Sequence, residues 1–132
     1  YTQHWWCNDK LKPVRRGLSS MPVRNLVDAA SMRQHCFSHF RTFKRELANK
    51  AEIFPVGLMY SVDKNMGFVL EEVARGGFLS VPLYYYRFHK HNMSRTQAGN
   101  QKSTWFKLAE KRRQYRKKMG IVPFRIQGVS CS

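Results

Sequence analysis

Between Lys102 and Lys118 the chain sets eight basic side chains (Lys102, Lys107, Lys111, Arg112, Arg113, Arg116, Lys117, Lys118) against one acid, Glu110. Cations at that density suit one chemistry above others, the neutralisation of phosphate with release of its condensed counterions. Over the whole chain 24 Lys and Arg face 8 Asp and Glu, a net +16 on 132 residues whose self-repulsion works against a free globule. Nucleic-acid phosphate is the expected counterpart.

Other reactive side chains form less complete patterns. His35 and His39 stand four apart beside Cys36, a spacing that on a helix would put both imidazoles on one face, yet nothing local completes a zinc ligand set. The default reading is two surface or helix-packing histidines. Gly99 to Thr104 (GNQKST) resembles the end of a phosphate-binding loop, but Gln101 stands where a glycine is required before the lysine, and Thr96 where the first glycine should be. A helix N-terminus flanked by Lys102, Ser103 and Thr104 would still suit a backbone phosphate. Glu71 and Glu72 are adjacent, so on a helix they diverge by about 100° and read as a solvated face or a contact with a basic neighbour. With no GxSxG and no paired-carboxylate motif, the sequence points to no enzyme and to no cofactor, metal or small-molecule substrate.

The elements that must position these residues follow from periodicity. Leu26, Ala30, Phe37, Phe40, Phe43 and Leu47 recur at three-, four- and seven-residue spacings, which predicts a long helix over 22–50 with a break possible at Ser31. A shorter helix is expected from Asp63 to Ala74, ended by Gly76 and Gly77. The basic segment reads as a helix capped by Ser103 or Thr104 and running to Met119, with Gly120 just past its end; Trp105, Leu108, Ala109, Tyr115 and Met119 form its apolar stripe, which Arg112 interrupts. Phe78 to Phe88 is aromatic and β-branched, a strand that Pro82 confines to an edge or to extended chain. The fold expected is therefore mainly α: a basic extended arm over 1–20 carrying Trp5 and Trp6, one small domain over 21–119, and an extended tail over 120–132. The alternative is α+β, with short strands around 54–60 and 78–88.

Charge is segregated along the chain: residues 1–20 carry a net +3, 21–50 a net +4, 51–80 a net −2 and 81–132 a net +11. Cys7, Cys36 and Cys131 are odd in number and far apart, which argues against a disulfide framework. The longest run without a formal charge, Gly76 to Tyr86, is eleven residues, short of the ~20 a membrane-spanning helix needs.

Small size, strong basicity, abundant aromatics and the basic helix together resemble a ribosomal protein as a class, with no single family's motif matched. The start at Tyr1 fits removal of a targeting segment or a fragment of a longer chain, and the first of these tilts the resemblance toward a mitochondrial ribosome in the matrix. It implies a structural subunit contacting rRNA and neighbouring ribosomal proteins, with Arg15, Arg16, Arg87, Lys90, Arg95, Lys102, Lys107, Lys111, Arg112, Arg113, Arg116, Lys117, Lys118 and Arg125 as the RNA-binding residues. A peripheral accessory subunit of a mitochondrial respiratory complex, its basic surface toward acidic subunits or anionic lipid, is the main alternative. A DNA-binding architectural protein ranks third.

Overall fold

The computed structural model describes residues 1–51 and 53–130. Two aromatic-rich segments, β1 (Thr2–Cys7) and β3 (Gly77–Arg87), lie side by side in parallel. β2 (Pro13–Arg16) adds antiparallel to β1 and β4 (Gln127–Val129) adds parallel to β3, so the sheet runs β2-β1-β3-β4. Among the described residues there are also five helices: α1 (Leu26–Ser31), α2 (Arg45–Lys50), α3 (Val62–Val73), α4 (Met93–Thr96) and α5 (Ala98–Met119).

This architecture is α+β, with 39% of the described residues in helix and 19% in strand, and it corrects the mainly α expectation. The supposed arm over 1–20 supplies an inner strand and an edge strand, and the supposed tail over 120–132 supplies β4 and the buried Ile126. The strand expected around 78–88 is present and lies inside the sheet. Pro82 is accommodated at a slip in the β1 register, beyond the three residues of β3 that pair with β4. Residues 54–60 form neither strand nor helix.

The long helix over 22–50 is also corrected. Asn25, whose Oδ1 accepts from the Asp28 amide at 2.9 Å, caps α1, and Arg33 turns left-handed (φ +58°) two residues after Ser31. The Gln34 amide then donates back to the Ala29 carbonyl at 2.8 Å, closing the helix end. Phe37 keeps a helical spacing in sequence but is held by tertiary contacts: its ring meets Tyr1 at 5.0 Å and lies over Gly67 of α3. A Cβ at Gly67 would come within 2.8 Å of that ring, so only glycine allows the approach.

Leu26, Val27, Ala29 and Ala30 of α1 are buried with Phe68 of α3, Trp105 and Ala109 of α5, Phe78 and Ile126. A smaller cluster of Ile53, Met66 and Val69 lies on the other side of α3. α5 begins at Ala98, five residues earlier than Ser103, and ends where expected, with Gly120 in the left-handed conformation (φ +66°). Arg116, Lys117 and Lys118 fill its last turn, where cations are favoured by the helix dipole.

Candidate nucleic-acid interface

The inward face of α5 is formed by Trp105, Ala109, Arg112 and Arg116, at spacings of four, three and four. Its apolar half packs in the core; its other half is ionic. Arg116 is only 7% exposed and donates from Nη2 to the Glu71 carboxylate and the Phe68 carbonyl, both at 2.7 Å, and from Nε to Glu72 at 2.6 Å. Arg112 grips Glu72 through two parallel bonds at 2.9 and 2.6 Å. The second Glu71 oxygen accepts from the Leu26 amide at 2.7 Å. Burial pushes the Glu71 carboxyl up, opposed by Arg116 and the Leu26 amide.

This arrangement corrects two expectations. Glu71 and Glu72 do not diverge but converge on one guanidinium, so of the two roles expected for them the contact with a basic neighbour is found and the solvated face is not. Arg116, with Nε, Nη1 and Nη2 all engaged inside the domain, leaves the phosphate-binding set, because a guanidinium whose donors are used has little left to offer a second anion; Arg112 gives Nε and Nη2 to Glu72 and stands at the border of that set. Arg113 bonds Glu110 and the Ser31 hydroxyl and is half engaged in the same way.

At 100° per residue, Lys107, Lys111, Gln114 and Lys118 fall directly opposite the inward face. All four are exposed, and among the described residues the three lysines form no ion pair. They span about 16 Å of helix surface at 1.5 Å per residue. Lys102 and Lys117 are exposed on the flanks. This row of ammonium groups is the part of the basic segment that can meet phosphate.

A second basic area lies on the sheet. Arg15 stands 4.2 Å from the Trp6 ring, Trp6 stacks on Phe88 at 4.9 Å, and Arg95 approaches Phe88 at 5.9 Å, so two guanidinium groups bracket two rings. Arg16 and Arg87 are exposed at strand ends, Lys90 is exposed in the turn after β3, and Arg125 is exposed between α5 and β4. Trp6 and Phe88 are not distinguishable from core residues by type alone.

His39 lies between Tyr84 and Tyr86, 4.9 and 5.0 Å from their rings, and His35 packs on Trp105 at 4.5 Å. Residues 35–40 are not helical, so the two imidazoles do not share a helix face. Burial, reinforced by Arg41 and His4, lowers the His39 pKa to about 4, and burial also lowers those of His4 and His35. Among the described residues no three His, Cys, Asp or Glu side chains converge as a metal site. Gly99 to Thr104 lies inside α5, which begins at Ala98 and uses the amides from Gln101 onward, so no phosphate loop forms there and Ser103 is not at the helix N-terminus. Cys7 and Cys36 are buried thiols, and Cys131 lies outside the described residues.

Comparison of the chain with protein-family models, with curated proteins and with solved structures finds no match.

Proposed function

We propose that the chain is a structural component of a ribosome, with the mitochondrial ribosome as its setting, and that it binds rRNA through phosphate contacts of the outward lysines of α5. The observation that carries the reading is the sorting of charge on that helix. Arg112 and Arg116 are neutralised from within, whereas Lys107, Lys111 and Lys118 form an exposed row in which, among the described residues, no lysine is ion-paired, Glu110 at its edge being taken by Arg113 and Gln114. An unbalanced row of this kind is what counterion release rewards and what stability alone does not require. Contacts of ammonium groups to phosphate position a protein without reading sequence, which suits a subunit docked on folded RNA. No catalytic step is assigned to the chain.

Gradient sedimentation of organelle lysate, with and without ribonuclease, tests it. Co-migration with a ribosomal subunit that collapses after ribonuclease is the expected result, and a nuclease-indifferent position would overturn it.

A second reading, the peripheral accessory subunit of a membrane complex, is favoured by an apolar cavity of about 730 Å³ lined by Leu26, Phe37, Phe40, Phe43, Leu70 and Ile126 among others. No helix among the described residues is long and apolar enough to cross a membrane, so attachment would be through that cavity or the basic surface. Membrane association that survives ribonuclease selects this reading.

A further inference from the structure

Trp5 of β1 is in register with Arg16 of β2 on one side and Tyr85 of β3 on the other. Side chains alternate along a strand, and Trp6, Arg15 and Tyr86 gather on one face of the sheet, so Trp5, Arg16 and Tyr85 share the opposite face. Tyr85 is 52% exposed. Among the described residues neither it nor Trp5 stacks on another ring, whereas Trp6, Tyr84, Tyr86 and Phe88 all do. Arg16 lies along the surface and donates to the Ser80 carbonyl at 3.2 Å. Ser80 in turn lines a shallow groove of about 580 Å³ with Gln3, Ser19, Met21 and Gly128. Arg87, exposed, stands two residues beyond Tyr85. The four strands hold three arginines and not one carboxylate.

We infer that this sheet face is a stacking platform for unpaired bases of a single RNA strand, with Trp5 and Tyr85 under the bases and Arg16 and Arg87 beside the phosphates. The inference rests on the nucleic-acid reading of α5 but assigns a different recognition. Lysines on a helix meet phosphate whether or not the bases are paired; a free aromatic ring meets a base only when that base has left its duplex. Charge complementarity selects the occupant: open rings between guanidinium groups, with no acid on any strand, suit a polyanion that carries flat apolar faces of its own.

The test uses the full chain and fluorescence anisotropy with two probes, a short oligouridine and an RNA hairpin whose paired stem is closed by a compact tetraloop with its bases stacked inward. Tyr85→Ala is expected to weaken oligouridine binding about tenfold, the effect of losing one base–aromatic stack, while hairpin affinity and its salt slope stay as in the wild type. Tyr85→Phe, which keeps the ring, restores oligouridine binding. Trp5→Ala acts in the same direction; because Trp5 is partly buried, the Tyr85 pair decides the matter if that variant does not fold. Unchanged oligouridine affinity in Tyr85→Ala, or equal weakening for both probes, overturns the platform while hairpin binding keeps the α5 reading intact. The first of these outcomes would point to a protein neighbour on this face. A wild-type chain that binds neither probe at low salt overturns the α5 reading, and the platform with it.

Discussion

The two faces of α5 carry the same sign of charge and opposite roles. Toward the core, Arg112 and Arg116 close a network with Glu71, Glu72, the Phe68 carbonyl and, through Glu71, the N-terminal amide of α1. Toward solvent, Lys107, Lys111 and Lys118 are held by nothing in the domain. The residue types match the roles: a guanidinium is weakly hydrated and presents a planar fork to several acceptors, whereas an ammonium is strongly hydrated and stays at the surface. Counting bases along a helix therefore overstates its interface. What matters is which of them the domain has already neutralised.

That partition makes the largest expected effect an inward one. Arg116→Ala leaves Glu71 buried without its guanidinium, while Arg112 still holds Glu72, and uncompensated buried charge of that kind costs about 3–5 kcal/mol. Urea denaturation should show it as a lower midpoint with little change in slope. A drop below about 1 kcal/mol, the level of an exposed pair, would mean that the network does not hold α5 to α3.

The outward face should answer a different measurement. Replacing Lys107, Lys111 and Lys118 together by Gln is expected to leave stability within about 0.5 kcal/mol for each surface position. The dependence of log K on log salt for RNA should flatten by about 2 to 3, close to one for each phosphate that is no longer neutralised, with affinity at least about tenfold weaker. If the triple variant instead unfolded readily and kept its salt slope, the roles of the two faces would be reversed.

Acid sharpens the contrast, because lysines hold their charge through the range in which the sheet loses stability. His39, packed between Tyr84 and Tyr86, has its pKa lowered from 6.5 to about 4 by burial, then by Arg41 and His4. Below pH 6.5 the unfolded chain takes up a proton that the folded chain refuses, so the unfolded state binds more protons and stability rises with pH. Stability is complete above pH 6.5 and falls as pH drops toward 4, by about 1–2 kcal/mol once the water-accessible part of the ring is discounted. The difference in urea midpoint between wild type and His39→Gln, followed across that window, isolates the residue from other titrating groups. It should shrink on acidification while RNA affinity per folded molecule, set by lysines, holds steady.

How far the sequence revealed these features depended on whether their causes were local. The end of α5 at Met119 and Gly120, and the extended run from Phe78 to Phe88, rest on glycine and β-propensity and were legible. The long helix over 22–50 was not, because a left-handed Arg33 has no compositional sign and Phe37 obeys helical spacing while answering to Tyr1 and Gly67. β1 read as an arm because its burial depends on β3, whose partner residues lie about eighty positions away. The inward arginines were misjudged for the same reason: Glu72 is 40 residues from Arg112 and 44 from Arg116.

Arg112 sits at the border between the two faces, and so offers the smallest effect and the most discriminating one. Its side chain is 25% exposed, its fork spans both oxygens of Glu72, and its guanidinium lies 4.9 Å from the Tyr115 ring. Arg112→Lys preserves the charge but replaces two parallel bonds with one and gives up the planar stacking on the ring. If Arg112 belongs to the inward network, the substitution costs about 1 kcal/mol of stability and leaves the RNA salt slope untouched, since the charge available to phosphate has not changed. If it belongs outside, stability holds and only base-independent affinity shifts. Urea denaturation and an RNA titration on the same protein separate the two outcomes, and a change in affinity without a change in midpoint would move the boundary between the faces to Arg116.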